Sequence, residues 1–148
     1  MGKINVGRCI AGGVAAGVLI WIIEGAASVL YMDDMQARLT ELGLSMEMSA
    51  VTWVLTVAVS LIVGVFLTFL YALARARFGP GPKTAVIVAA AAWFGCQLVS
   101  LIGYYMVGLY PGSMLAMWGG IGLVEWILAT VLGGWIYREP GVAIPVAR

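Results

Sequence analysis

The chain has 148 residues, 63% of them hydrophobic and 10% charged, with a mean hydropathy of +1.04. Soluble domains carry about 25% charged residues, so there is too little polar surface here to cover a water-soluble globule, and an integral membrane protein is expected. A net charge of +1 leaves no strong electrostatic case for a nucleic-acid partner, and the absence of histidine removes the commonest metal ligand and general base.

Four apolar stretches reach the roughly 20 residues needed to cross a bilayer. The first spans about 8–32, "RCIAGGVAAGVLIWIIEGAASVLYM". Its apolar part is longer than the h-region of a signal peptide, so it reads as a span. The connection that follows, "DDMQARLTELGLS", reads as a short amphipathic surface helix. Asp33 or Asp34 can cap it, Met35, Leu39 and Leu42 share one side, and Gly43 can end it. The second span covers about 50–74. The turn "RFGPGPK" comes next, where two prolines stop a helix and two glycines permit the reversal. The third span covers about 84–109 and the fourth about 114–137. The expected fold is therefore all-α: one membrane domain, 1–148, with four transmembrane helices in an antiparallel bundle.

Basic residues set the orientation. Lys3 and Arg8 precede the first span, Arg75, Arg77 and Lys83 lie between the second and third, and Arg138 and Arg148 follow the fourth. Only Arg38 lies on the other side, among Asp33, Asp34, Glu41 and Glu47. Both termini are expected in the cytoplasm, in a multi-pass protein of a bacterial inner membrane. Trp53, Trp118, Tyr31, Tyr105 and Tyr110 fall near the outer interface and Trp135, Tyr137 and Tyr71 near the inner one, as aromatic belts do. Cys9 and Cys96 fall at depths about 20 Å apart, too far for a disulfide within the chain.

At "RFGPGPKTA", with the start "INVGR" and the closing helix "GLVE…A…GGW.Y.E", the sequence resembles a group of small, uncharacterised bacterial four-helix membrane proteins. The resemblance implies the four-span arrangement and carries no activity, so no functional residue transfers from it.

Each span holds one polar residue near mid-length. At 1.5 Å per residue, Glu24 stands about 24 Å from Arg8, Ser60 about 22 Å from Arg75, Gln97 about 21 Å from Lys83 and Glu125 about 20 Å from Arg138. An acid facing lipid there is penalised by about 2.5–3.5 kcal/mol. The expectation is one inward-facing layer of Glu24, Ser60, Gln97 and Glu125. Trp21 and Trp93 share helix faces with Glu24 and Gln97, where their indole N–H groups could donate to the layer. Ser100 and Tyr104 continue outward from Gln97. Two small-residue stripes, Gly13, Gly17, Trp21 and Gly25 on the first span and Thr52, Thr56, Ser60, Gly64 and Thr68 on the second, are expected to pack closely. No Lys or Arg lies in any span's core, so at least one acid is expected to be protonated, or the pair to share a proton, unless a cation binds.

Two functions follow. In the first, the layer is packing glue in an accessory or assembly subunit of a larger membrane complex, or in a homo-oligomer; the tail "EPGVAIPVAR" has no core of its own and would lie against a partner. In the second, Glu24 and Glu125, with Gln97, Ser60, Trp21, Trp93 and Tyr104, form the proton or cation site of a small proton-coupled transporter or channel. An enzyme is not expected, and neither is a cofactor or metal: there is no histidine, and the prolines of "GPGP" remove the backbone donors a phosphate would need. The expected partners are the lipid bilayer and other membrane subunits or a second copy.

Overall fold

The computed structural model describes residues 4–45 and 47–137; Lys3, Arg138, Arg148 and the expected partner-contacting tail 138–148 lie outside them. All regular structure among the described residues is helical. The helices are α1 (Val6–Ser28), α2 (Met32–Glu41), α3 (Ala50–Phe78), α4 (Pro82–Ala92), α5 (Val99–Met106) and α6 (Gly112–Ile136), with a π-helical turn, Trp93–Leu98, joining α4 to α5. Four helices, Val6–Leu30, Ala50–Phe78, Pro82–Met106 and Gly112–Ile136, are long and apolar enough to cross a membrane, as in a multi-pass membrane protein.

Local chemistry sets the helix ends. The Asn5 side chain accepts from Arg8 N–H at 3.1 Å, and the Ser49 hydroxyl accepts from Thr52 N–H at 3.2 Å, satisfying first-turn donors. Gly79 and Gly81 turn the chain at φ +81° and +133°, and Pro82 opens α4. The turn is pinned by Gly81 N–H donating to the Tyr71 hydroxyl at 3.0 Å and by Thr84 Oγ1 donating to the Gly79 carbonyl at 2.7 Å. In α2 the structure departs from expectation. Tyr31, not an aspartate, stands at the N-cap, and Asp33 and Asp34 fall in the first turn, where they face the positive end of the helix dipole.

Helix α1 packs on α3 and α6; α3 also touches α4 and α6, and α4 lies against α6. Small residues permit the closest approaches. A Cβ on Gly13 would overlap the Val65 backbone, one on Gly17 the backbone of Ser60 and Leu61, and one on Gly64 the backbone of Gly13 and Gly17. A Cβ on Gly12 would stand 2.6 Å from the Gly133 carbonyl oxygen, so α1 is pressed equally hard against α6. Ala16, Leu67, Thr68, Ala129 and Thr130 are fully buried where the three meet.

The small-residue contact holds for only half of the length expected. Nothing lies within 4 Å of a Cβ placed on Gly25, Trp21 is exposed, and the Thr56 hydroxyl donates to its own helix at Trp53. Beyond Gly17 and Ser60, α1 therefore leaves α3. The helices are tight at the end carrying Arg8, Arg75, Arg77 and Lys83, the basic end. They splay at the end carrying Asp33, Asp34, Glu41 and Glu47, the acidic end.

Helix α2 closes over that open end through one residue. Arg38 donates from Nε to the Leu109 carbonyl at 3.1 Å and from Nη2 to the Gly108 carbonyl at 2.7 Å, while its Nη1 pairs with Glu41 at 2.9 Å. Gly108, at φ +68°, turns the loop so that its carbonyl meets the guanidinium. Arg38→Ala is expected to speed hydrogen exchange of residues 32–41 about tenfold, the loss of one charge-assisted bond's worth of protection. Exchange at Leu67 and its neighbours should not change; equal protection of α2 in the variant would show that other contacts hold it.

Candidate functional site

The splay leaves a cavity of about 460 Å³ between α1, α3, the third span and α6. Glu24, Tyr31, Gln97, Tyr104, Trp118 and Trp126 are its chemically distinctive walls. Glu24 faces it from the last turns of α1. Glu125, from α6, is only 4% exposed and is not among the cavity's walls; the Glu24 carboxyl is its charged neighbour. Glu24 itself is exposed at the cavity's open side. A bond between two carboxyl groups requires a proton, since two carboxylates offer only acceptors.

Tyr31 sits over the pair. Its hydroxyl donates to Glu24 Oε1, and its ring meets Trp118 edge-on with centroids 5.4 Å apart. Burial first, and then the bond to Glu24, push the Tyr31 hydroxyl above the ordinary phenol range, so it serves as a donor. Trp118 meets Tyr110 at 4.8 Å, and Tyr110 meets Tyr104 at 6.2 Å, making an aromatic chain along the acidic end of the cavity. The π-helical turn places Gln97 on the cavity wall. Its carboxamide rests on Gly122, where a Cβ would overlap it, and its Nε2 donates to the Trp118 carbonyl at 3.4 Å.

Three buried polar atoms around this space have no hydrogen-bond partner: Glu125 Oε2, Gln97 Oε1 and Trp118 Nε1. Buried polar atoms are normally satisfied. All three are enclosed, with almost no accessible surface of their own.

The other expected members of the layer lie elsewhere. Ser60 donates to the Thr56 carbonyl at 3.0 Å and packs against Gly17. Its misplacement has a clear cause. Gly13 faces Val65 and Gly17 faces Leu61, one step forward on α1 for each step back on α3. Arg8 is thus level with Leu70, not Arg75, and Ser60 falls roughly 9 Å short of Glu24. Trp93 donates to the Gly119 carbonyl at 3.0 Å, which occupies its indole N–H away from the acids. Trp21 points outward and is not among the cavity's walls. Tyr104 lines the cavity, as do Cys96 and Ser100. Both cysteines are free, Cys9 buried and Cys96 exposed.

Tyr31 and Trp118, expected near the outer interface, are also walls of the site. The sequence carried a signal for them. Tyr31 follows Glu24 by seven residues and Trp118 precedes Glu125 by seven. Seven residues is two helical turns on one face. With α1 and α6 running in opposite directions, both aromatics fall on the acidic-end side of the acids. Among the described residues no group of three or more His, Cys, Asp or Glu side chains could hold a metal ion.

No family model, curated protein or solved structure matches this chain. The reading of the site therefore rests on its own geometry.

Proposed function

We propose that the chain is a multi-pass membrane protein, its four spans bundled with both termini in the cytoplasm, that loads and unloads a proton at the Glu24–Glu125 pair as a small proton-coupled transporter. A bacterial inner membrane is the proposed setting, from the basic residues gathered at one end. The observation that carries the reading is a buried acid, Glu125, with the Glu24 carboxyl as its charged neighbour, and Glu24 exposed on the wall of an aromatic-lined cavity. Packing glue would favour satisfied polar groups closed away from any opening. Acids within spans commonly mark ion or proton pathways.

The pair answers to few neighbours. The Tyr31 hydroxyl bonds Glu24, the third span contributes Tyr104 and Cys96, and α3 contributes only Val59 to the same cavity. No Lys or Arg lines it. Charge balance at the pair is therefore left to a proton or an incoming cation.

An accessory role, in a larger complex or a homo-oligomer, keeps one observation in its favour. Glu24, Val59, Cys96, Ser100 and Tyr104 are all exposed around the cavity mouth, a side another subunit would cover. The discriminating experiment is proton counting on purified full-length chain in weakly buffered detergent solution. Wild type is expected to take up about one proton per pair on acidification. The Glu24→Gln/Glu125→Gln double variant is expected to lose that uptake. Identical uptake by the two proteins would leave the pair as packing alone.

A further inference from the structure

The cavity has one feature that proton exchange alone does not use: its aromatic lining, Tyr31, Tyr104, Trp118 and Trp126. A proton does not need it. A ligand with an apolar body and a positive charge would use it together with Glu24.

The cavity's exposed side adds a second constraint. Its rim is Val59, Cys96, Ser100 and Tyr104, on the flanks of helices long enough to cross a membrane. A ligand entering there comes from the apolar layer rather than from bulk water. The space, about 460 Å³, lies in the lower part of the range of roughly 300–1,000 Å³ typical of small-molecule sites.

We infer that the cavity binds a small amphiphilic organic cation: an ammonium group against Glu24 and an aromatic or aliphatic body among the four aromatic side chains. This rests on the reading of the acid pair as a proton-exchanging site and names what the proton is exchanged for. The step balances in charge. A monocation enters, the proton between the two carboxyls leaves, and the site keeps its net charge. Aromatic faces attract the cation electrostatically, most strongly where water is excluded.

The test uses the full-length chain in lipid nanodiscs and choline phenyl ether, a quaternary ammonium with one ether oxygen and one ring. Its neutral carbon isostere, in which a quaternary carbon replaces the nitrogen, is the control. Trp118 fluorescence and titration calorimetry report binding; a pH dye in weak buffer reports protons. The cation is expected to bind at least about tenfold more tightly than the isostere. It is expected to release up to one proton per bound cation. Trp118→Leu, which removes an aromatic wall, is expected to weaken the cation about threefold to tenfold by calorimetry. Equal binding of cation and isostere would overturn the assignment, because the cavity would then be an apolar cleft. Absence of cation binding, in a protein that still takes up protons on acidification, would also overturn it and leave the proton site standing. Absence of both would remove the proton reading as well.

Discussion

Gly64→Ala will loosen α1 from α3 and destabilise the protein by more than about 3 kcal/mol, the upper end of overpacking costs. The size of the effect comes from what the new methyl would meet. At Gly64 the obstructing atoms are the Gly17 nitrogen and Cα and the Gly13 carbonyl oxygen, all backbone. A side chain can rotate away; a helix backbone must translate. Because Gly13 and Gly17 are the reciprocal contacts, one methyl pushes apart the whole basic-end seam. Gly120→Ala is the control. Nothing lies within 4 Å of a Cβ at that position, and alanine is the better helix former by about 1 kcal/mol. Unfolding in mixed micelles, followed by circular dichroism, should show a large loss for the first and none for the second. Similar stability for the two variants would mean that α1 and α3 are not this close.

Glu125→Gln will separate stability from proton exchange. The substitution keeps the shape and hydrogen-bonding capacity of a buried side chain, so stability should change by less than about 1 kcal/mol. Polar contacts between membrane helices average only about 0.6 kcal/mol. The proton count, in contrast, should fall by the share of the pair, with Glu24 alone left to titrate. A carboxamide offers a fixed donor to Glu24, and no proton is left to share between two acids. If Glu125 were glue, the reverse pattern would hold in its strongest form with Glu125→Leu, where stability would collapse with no proton signal to lose. The same unfolding assay, run beside proton counting, decides between them.

Much of the fold was legible because the long helices are written in long apolar runs. The four helices long and apolar enough to cross a membrane, the "RFGPGPK" turn and the short helix between the first two all occur near their expected places. Helix ends differed by up to a turn, since polar caps such as Asn5 and Ser49 can lie beyond the apolar core. The site was legible in part. Glu24 and Gln97 line one cavity, and Glu125 is buried with Glu24 as its charged neighbour. Ser60 does not, because Arg8 and Arg75 stand at different heights, and a sequence shows the distance along each helix but not the offset between helices. Trp93 was lost to the site through a backbone carbonyl on α6, an acceptor that no side-chain pattern reveals. The π-helical turn was equally invisible: "WFGCQL" contains nothing that distinguishes it from an ordinary turn of apolar helix. Tyr31 and Trp118 were visible as aromatics near an end, and only the seven-residue offsets from the acids point to their place above them.

The contact between Glu24 and Glu125 is tested most directly by infrared difference spectroscopy of the purified protein across an acid–base step. A carboxylic C=O stretch should appear on acidification in the wild type, sensitive to deuterium exchange, and both Glu24→Gln and Glu125→Gln should abolish it individually, because the proton belongs to the pair. Survival of the same band in either single variant would show two independent carboxyls and contradict a shared proton.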